Sequence, residues 1–233
     1  MLHRFFSNSS NNSSNSSRSA LNKIFDKYRD NATQEPDEIN VDGVSNLLGD
    51  INVDLDDIGS LVFSELVASP SLGVVKREEF VCGCASAGID SIPKLKNIVL
   101  QRRSELASDR TLFKKVYNHT FQLALQPGQK SLPLEMASEF WKMVFKEPGM
   151  EWRTERTPWL DWWLEFQEEK VKRSVNKDLW RQTLNFAEES LKDEGLGFWN
   201  EESSWPSVID EFVEWAKAKR PEGVANGDAM DVE

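Results

Sequence analysis

Apolar residues recur at helical spacing through nearly the whole chain, and this pattern limits what the chain can fold into. The first apolar stripe runs from Leu21 to Tyr28, and the last runs from Trp205 to Ala216. Residues three and four apart lie on one face of a helix, so each stripe predicts a helix with one buried side. No segment alternates as a half-buried strand does, and no heptad or other fixed repeat is present. We therefore predict an all-α fold.

The helical pattern changes in composition partway along the chain. The part after residue 110 is richer in tryptophan, and the helical stripe beginning at Phe113 follows a polar stretch near residues 106–110. A break of this kind is typical of a boundary between two packed units. We predict a two-lobed helical domain over residues 19–219, with lobes at about 19–107 and 108–219 and a tryptophan-rich helical bundle as the second lobe.

Polar segments flank the predicted domain. Residues 7–17 consist of serine and asparagine alone, a composition that buries too little apolar surface to offset the entropy of ordering. Residues 1–18 are therefore predicted to be a disordered Ser/Asn-rich tail, and residues 220–233 a disordered acidic tail. A mitochondrial presequence is an alternative for the start of the chain, because residues 1–6 are basic and apolar and the first 25 residues lack acids.

The charge of the chain restricts its partners. A net charge of −11 argues against nucleic acid, because phosphate binding needs a basic surface. The same charge favours a protein partner that carries lysines and arginines. No apolar run approaches the length that crosses a bilayer, so we expect a soluble protein with no membrane partner.

The cysteines and histidines offer little chemistry. Cys82 and Cys84 are the only cysteines, which is too few for a disulfide framework and only half of a structural zinc site, although His3 and His119 could complete one arithmetically. Their apolar helical surroundings favour buried, structural thiols over nucleophiles. A thiol-dependent ligase remains an alternative that requires one exposed, reactive cysteine. We expect a reduced protein of the cytoplasm and nucleus.

An acidic loop between the first two predicted helices raises the question of calcium. Counted from Asp30, the sixth residue is Glu35 and the twelfth is Val41, whereas a calcium loop needs glycine and glutamate there. A shifted register places Gly43 at the twelfth position and fails as well. We predict an EF-hand-like scaffold without calcium. No phosphate loop, nucleophile elbow or zinc-helix motif is present, so no metal, cofactor or catalytic residue is expected.

Two helix starts can be predicted in detail near the C-terminus. Asn176 can cap one helix while Val175 packs on Trp180, which places Asp178 in the first turn. The last helix is predicted to start at one of the serines 203–204 or at Trp205.

An unusual segment runs from Glu194 to Glu214. It contains six acids and no lysine or arginine, and aromatic residues are interleaved with the acids. A solvated helix face is one interpretation of this pattern. The other is a docking face with aromatic support underneath and unpaired acids on top.

Several stretches resemble the potentiating-neddylation domain of the defective-in-cullin-neddylation (Dcn1-like) proteins. They follow the order of that domain over roughly residues 19–219, and the last is the most specific. They are Lys23-Ile-Phe-Asp-Lys-Tyr28, Pro127-Gly-Gln-Lys-Ser-Leu-Pro-Leu-Glu-Met-Ala137, Leu160-Asp-Trp-Trp-Leu-Glu-Phe166, Lys177-Asp-Leu-Trp180 and Asn200-Glu-Glu-Ser-Ser-Trp-Pro-Ser-Val-Ile-Asp-Glu-Phe-Val-Glu-Trp215.

The resemblance implies two lobes, the first EF-hand-like without calcium, and a scaffold-type ligase activity with no catalytic residue of its own. The implied partners are the winged-helix C-terminal domain of a cullin, the neddylation-conjugating enzyme with its acetylated N-terminal Met, and the cullin-associated ring protein. Rate would then come from proximity and orientation. The alternative is an EF-hand-like helical adaptor for another basic protein.

The resemblance also implies two sets of site residues. Cullin docking would use an Asp-Ala-Asp triplet, in which the alanine position is Ser204 here and an altered affinity is expected; the cullin-binding residues are Asp178, Ser204, Asp210, Glu211 and Glu214. The pocket for the conjugating enzyme would be mostly apolar, with Ser60 and Gly73 making it more polar or more open. Its residues are Val41, Val44, Ser60, Leu61, Phe63, Gly73, Val75, Leu123 and Met143.

Overall fold

The predicted all-α fold is confirmed by a computed structural model, which describes the backbone of residues 7–200 and 202–220 and side chains from residue 15 onward. Ten α-helices and one π-helical turn, Gln167–Val171, account for most of these residues. The α-helices are α1 Ser7–Tyr28, α2 Val41–Asp50, α3 Ile58–Leu66, α4 Arg77–Ser86, α5 Ile92–Glu105, α6 Arg110–Ala124, α7 Leu134–Val144, α8 Trp159–Phe166, α9 Lys177–Lys192 and α10 Ser207–Lys219.

Two short antiparallel strand pairs were not predicted from the sequence. Strand β1, Glu38–Ile39, pairs with β2, Val75–Lys76, and strand β3, Ser131–Leu132, pairs with β4, Val175–Asn176. Each strand is two residues long, which is too short to show an alternating pattern in the sequence. The first pair joins the segment before α2 to the segment before α4. The second pair joins the segment before α7 to the segment before α9.

Helix α1 begins within the segment that composition predicted to be disordered. The helix starts at Ser7, while its buried face begins only at Leu21, which is fully buried. Adding residues to an existing helix costs far less than nucleating one, so the amphipathic part can extend into the polar segment. Arg18 also forms an ion pair with Glu78 of α4 at 3.0 Å. The predicted tail residues 1–6 and 221–233 lie outside the described residues.

The described residues divide into two compact units. Residues up to Gln129, together with Lys146–Glu151, form the first unit, and Lys130–Phe145 with the residues from Trp152 onward form the second. The first unit thus includes α6, whereas the sequence predicted a boundary near residue 107. Helix α6 packs against α3 and buries Phe113, Val116 and Leu123. Its apolar stripe therefore belongs to the first core.

In the acidic loop of the first unit, Asp30 caps helix α2. The backbone N–H groups of Asn40 and Gly43 donate to the two carboxylate oxygens of Asp30, at 2.6 and 2.7 Å. Asn40, the N-cap residue of α2, makes no side-chain cap bond, so Asp30 supplies the acceptors in its place. No group of three potential metal ligands was found in the described part of the chain.

The core of the second unit is a cluster of aromatic side chains, as predicted. Trp141 stacks on Trp180 with ring centroids 5.5 Å apart, and its edge contacts Trp163 at the same distance. Trp163 in turn meets Phe212 of α10 at 5.0 Å and a right angle. Edge and offset contacts of this kind stabilise aromatic cores beyond the area they bury. The cluster fixes α7, α8, α9 and α10 against one another.

Candidate docking sites

The start of helix α9 carries the first candidate acid. The side chain of Asn176 accepts a hydrogen bond from the backbone N–H of Leu179 at 2.8 Å, which confirms the predicted cap. Asp178 lies in the first helical turn and is exposed. Its charge is favoured there by the helix dipole and remains available to a partner.

The loop between α9 and α10 is shaped by its own polar side chains. The carboxylate of Asp193 accepts hydrogen bonds from the N–H groups of Gly195 at 3.0 Å and Gly197 at 2.7 Å. Further on, the backbone N–H of Ser203 donates to the carbonyl of Asn200. These turns leave Ser204 exposed.

Aromatic side chains support this loop from beneath. Phe186 of α9 contacts Phe198 at 5.6 Å, Trp205 at 6.0 Å and Phe212 at 5.6 Å between ring centroids. Three of the aromatic residues interleaved with the acids thus pack on one buried ring, that of Phe186. Phe186 lies roughly 12 Å along the α9 axis from Asp178, since it is eight positions further along the helix.

Asp210 is held by a neighbouring side chain. The indole N–H of Trp199 donates to one carboxylate oxygen of Asp210 at 2.9 Å. Helix α10 begins at Ser207, after its N-cap residue Pro206, so the predicted start at Ser203, Ser204 or Trp205 is wrong. The proline disfavours helical backbone at the preceding residue, Trp205. Asp210 therefore lies in the first turn of α10 and is half-buried. Glu211 and Glu214 follow on the same helix and are exposed.

Glu194, the first of the six acids in the segment from Glu194 to Glu214, is bonded within the protein. Its carboxylate accepts hydrogen bonds from the hydroxyls of Thr154 and Thr157, each at 2.5 Å. Partial burial raises the pKa of Glu194, but these bonds and the charges of Arg220 and Arg156 outweigh it, and the pKa lies below its ordinary value. Glu194 is therefore an internal bracing group, and Glu201 lies outside the described residues. The cullin-binding residues that the resemblance implies are Asp178, Ser204, Asp210, Glu211 and Glu214, and we call this set the acidic face.

A separate candidate site lies in the first unit. It is an apolar cavity of about 210 Å³, bordered by α2, α3 and the loops before α3 and β2. Six of the nine predicted pocket residues line it. The lining residues are Val41, Val44, Leu48, Leu55, Ser60, Leu61, Ser64, Leu72, Gly73 and Leu123.

Three predicted pocket residues do not line this cavity. Phe63 and Val75 are 0% and 1% exposed, and they pack in the core of the first unit. Met143 belongs to the second unit, on α7. Apolar residues at helical spacing serve core and pocket alike, so the sequence could not separate these two uses.

The mouth of the cavity exposes apolar side chains. Among the described residues, Val41, Leu55 and Leu72 are the large apolar residues left exposed, at 62%, 58% and 44%, and all three line the cavity. Four other lining residues, Leu48, Leu55, Ser64 and Leu72, were not predicted from the sequence. An apolar residue in a loop, out of phase with any helix, is the signal that could have revealed Leu55 and Leu72.

Three polar groups of the cavity wall donate hydrogen bonds within the protein. The hydroxyl of Ser60 donates to the carbonyl of Leu55 at 3.0 Å, and that of Ser64 donates to the carbonyl of Ser60 at 2.8 Å. The N–H of Leu72 donates to the carbonyl of Leu123 at 3.1 Å. Ser60 thus fastens the loop that carries Leu55, and the wall presents apolar atoms to a ligand.

Gly73 permits a close approach at the same mouth. Its φ of +71° lies in the left-handed region, and a Cβ placed on it would lie 2.8 Å from Cγ2 of Val41. A side chain here would meet both backbone strain and a clash. Glycine at position 73 therefore allows Val41 to lie close to the backbone at the cavity mouth.

The two cysteines occupy different environments. Cys84 is fully buried, and burial raises the pKa of its thiol to about 12. Cys82 was predicted to be buried but is exposed. The buried face of α4 consists of Phe80, Val81 and Cys84, and Cys82 does not belong to it. Its thiol donates to the carboxylate of Glu78 at 3.1 Å, and this bond raises the pKa of Cys82. A thiol held protonated is a poor nucleophile. His3 of the predicted zinc alternative lies outside the described residues.

No helix in residues 7–200 and 202–220 is long and apolar enough to cross a membrane.

An acidic face over aromatic residues and an open apolar cavity are features of helical protein-binding modules. Residues 94–215 match the cullin binding family model, a range that includes Asp178 and Asp210. The chain is 36% identical to defective in cullin neddylation protein 1 of Pyricularia oryzae, over 97% of this chain and 84% of the relative. It is 34% identical to the protein of that name from Yarrowia lipolytica, over 85% and 78%. DCN1-like protein 3 of Drosophila melanogaster is 31% identical, over 85% of this chain and 56% of its own length.

The chain belongs to the defective in cullin neddylation family. This membership confirms the resemblance noted in the sequence.

Proposed function

We propose that this chain is an accessory factor for cullin neddylation, which binds a cullin and the neddylation-conjugating enzyme and promotes transfer of the ubiquitin-like modifier to the cullin lysine. The observation that carries the proposal is the coexistence of an acidic face and an open apolar cavity in a chain of this family. Two binding sites on one chain are what a scaffold needs to bring two proteins together.

The acidic face is the proposed site for the winged-helix C-terminal domain of a cullin. Asp178 and Asp210 lie in the first turns of two helices, and Glu211 and Glu214 add exposed charge. Complementary charge steers encounter and fixes orientation, so the partner surface should carry lysines and arginines. Ser204 is small and exposed, which allows close approach of the partner at this residue.

The apolar cavity is the proposed site for the acetylated N-terminal Met of the conjugating enzyme. Burying a methionine side chain stabilises a complex by roughly 1.5–3 kcal/mol. Acetylation removes an ammonium group whose desolvation would be costly against an apolar wall. The serine hydroxyls of the wall are bonded internally, which supports an apolar ligand.

The proposed mechanism is proximity without a covalent intermediate on this chain. The chain would hold the conjugating enzyme, loaded with the ubiquitin-like modifier, beside the cullin and the cullin-associated ring protein. This raises the effective concentration of the acceptor lysine. Cys82, the exposed thiol, is held protonated by Glu78 and has no role in this mechanism. We place this activity in the cytoplasm and nucleus, where cysteines remain reduced.

A neddylation assay with a purified cullin–ring protein complex tests the proposal. We expect the chain to accelerate modification of the cullin, and Asp178→Arg and Asp210→Arg to abolish most of the acceleration. Glu169→Arg, at an exposed carboxylate on the π-helical turn, is the matched control and should behave as wild type. If both aspartate variants accelerate the reaction normally, the acidic face is not the cullin site. Binding of a basic protein other than a cullin would instead support an adaptor with a different partner.

A peptide experiment tests the cavity separately. Peptides with the N-terminal sequence of the conjugating enzyme are compared as acetylated and free-amine forms, by calorimetric titration. The acetylated form should bind at least tenfold more tightly, because only the free amine must lose a charged hydration shell. Equal affinity of the two forms would rule out the proposed pocket.

A further inference from the structure

Asp210 differs from the other acids of the acidic face in being tied to a tryptophan. Its Oδ1 atom accepts the indole N–H of Trp199 at 2.9 Å, and it is half-buried, whereas Glu211 and Glu214 are exposed. A carboxylate has two oxygens and several acceptor sites. One hydrogen bond therefore fixes the orientation of Asp210 and leaves the other oxygen to accept from a partner.

Trp199 is also held in place by a residue near the C-terminal end of α10, the helix that carries Asp210. The ammonium of Lys217 lies over the Trp199 ring, 4.3 Å from its centroid. Asp210 and Lys217 are seven residues apart, which places them on one face of α10 and about 10 Å apart along its axis. The indole of Trp199 thus lies along two turns of α10, with its N–H at one end and a cation over its face.

This arrangement matters for binding because orientation is costly to impose. An exposed aspartate samples several rotamers, and a partner that needs one of them must order it on binding. A carboxylate fixed beforehand by a hydrogen bond avoids that cost. A cation over the ring also holds the indole against the helix, so that its N–H stays directed at Asp210.

We propose that Trp199 is a positioning residue of the acidic face, which presents Asp210 in the orientation that the basic partner binds. This inference rests on the proposed cullin-binding function. It adds a residue that carries no charge and that charge complementarity alone would overlook.

The test is a double-mutant cycle on cullin binding. Trp199→Phe keeps an aromatic ring and removes the N–H, and Asp210→Ala removes the acceptor. The affinity of each full-length variant for the purified cullin complex is measured by titration. Trp199→Phe should weaken binding about three- to tenfold in the wild-type background, the range of one net hydrogen bond. In the Asp210→Ala background the same change should have almost no effect.

Trp162→Phe is the matched control, since Trp162 is also half-exposed and packs its ring against Trp159 and Trp215. It should bind the cullin as wild type does. Thermal unfolding of each variant checks that the fold is kept.

The outcomes separate the two proposals. If Asp210→Ala itself leaves cullin binding unchanged, the proposed function of the acidic face fails. If Asp210→Ala weakens binding but Trp199→Phe costs the same in both backgrounds, Trp199 is merely structural and the positioning role is overturned. An effect of Trp199→Phe that disappears without Asp210 supports the positioning role, because only an interaction between the two residues produces it.

Discussion

Arg103 of α5 holds both carboxylate oxygens of Asp57, with nitrogen–oxygen distances of 2.7 and 2.6 Å. The same aspartate caps α3, because its Oδ1 accepts the backbone N–H of Gly59 at 2.7 Å. Helix α3 carries Ser60 and Leu61 of the cavity wall. One residue thus fixes the start of the helix on which the proposed pocket depends.

Replacing Asp57 should destabilise the first unit. Asp57→Ala removes an N-cap and a bidentate ion pair, and we expect the free energy of unfolding to fall by about 1–3 kcal/mol. The lower part of that range applies if solvent screens the pair, since about a third of the Arg103 side chain is exposed. Denaturant unfolding measures the change. Asp54→Ala, at an exposed aspartate three residues earlier, is the control and should change stability by less than about 0.5 kcal/mol.

The contribution of the Asp57 charge should depend on pH. The hydrogen bonds from Arg103 are the main cause that lowers the pKa of Asp57, against a rise from burial. A depressed folded-state pKa gives stability that is present above the unfolded value, near 4, and is lost as the pH falls through the folded value. The stability difference between wild type and Asp57→Asn should therefore be constant above about pH 5 and shrink below about pH 4. A difference that persists unchanged to pH 3 would show that the charge is not its source.

Two glycines allow backbone strain to be separated from crowding at the cavity mouth. Gly73 and Gly88 both have a φ of +71°, but a Cβ would meet Val41 only at Gly73, while nothing lies within 4 Å at Gly88. Each change to alanine should cost about 1 kcal/mol of stability from the left-handed backbone. Only Gly73→Ala should also weaken binding of the acetylated peptide, because Val41 must move. Parallel titration and unfolding experiments check this, and equal peptide affinities would contradict it.

A buried hydrogen bond in the second unit offers a test of its core. The indole N–H of Trp152 donates to the hydroxyl of Ser190 at 2.9 Å, and both residues are buried. Ser190→Ala leaves the indole N–H unpaired and should cost about 1–3 kcal/mol in denaturant unfolding. Thr183→Val is the control, since the Thr183 hydroxyl donates within its own helix, to the carbonyl of Leu179. A smaller cost for Ser190→Ala than for Thr183→Val would argue against the role of this bond.

The two thiols should react differently in the folded protein. A disulfide reagent should label Cys82 slowly at neutral pH, because Glu78 keeps its pKa raised, and should label Cys84 only after unfolding. Glu78→Gln should accelerate labelling of Cys82 by removing the negative charge beside it. Cys82→Ser should retain full activity in the neddylation assay. Loss of activity in that variant would instead favour a thiol-dependent ligase.

Much of the acidic face could be anticipated from local signals. The cap at Asn176 follows from residue types within four positions of it, and so does the placement of Asp178 in a first turn. The resemblance that singled out Asp210 also depends on a contiguous stretch of sequence. None of these signals indicated that Glu194 faces Thr154 and Thr157, forty and thirty-seven residues away.

The cavity was predicted with less accuracy for a related reason. The sequence pattern marks which residues are apolar, but Phe63 fills the core while Leu61 faces the cavity on the same helix. The contribution of loop residues Leu55 and Leu72 depends on where the loops fold back, which no periodicity encodes.

The sequence by itself determined the helical class, the family and the capped start of α9, because helical periodicity and capping are properties of residues close together in the chain. Only the tertiary structure decided which acids are available and which are braced internally. It also placed Lys217 over Trp199 and the Trp199 N–H against Asp210. Such contacts depend on how a loop folds back onto a helix, and the physical reason is that burial and hydrogen bonding between distant residues select one packing among many that the local pattern allows.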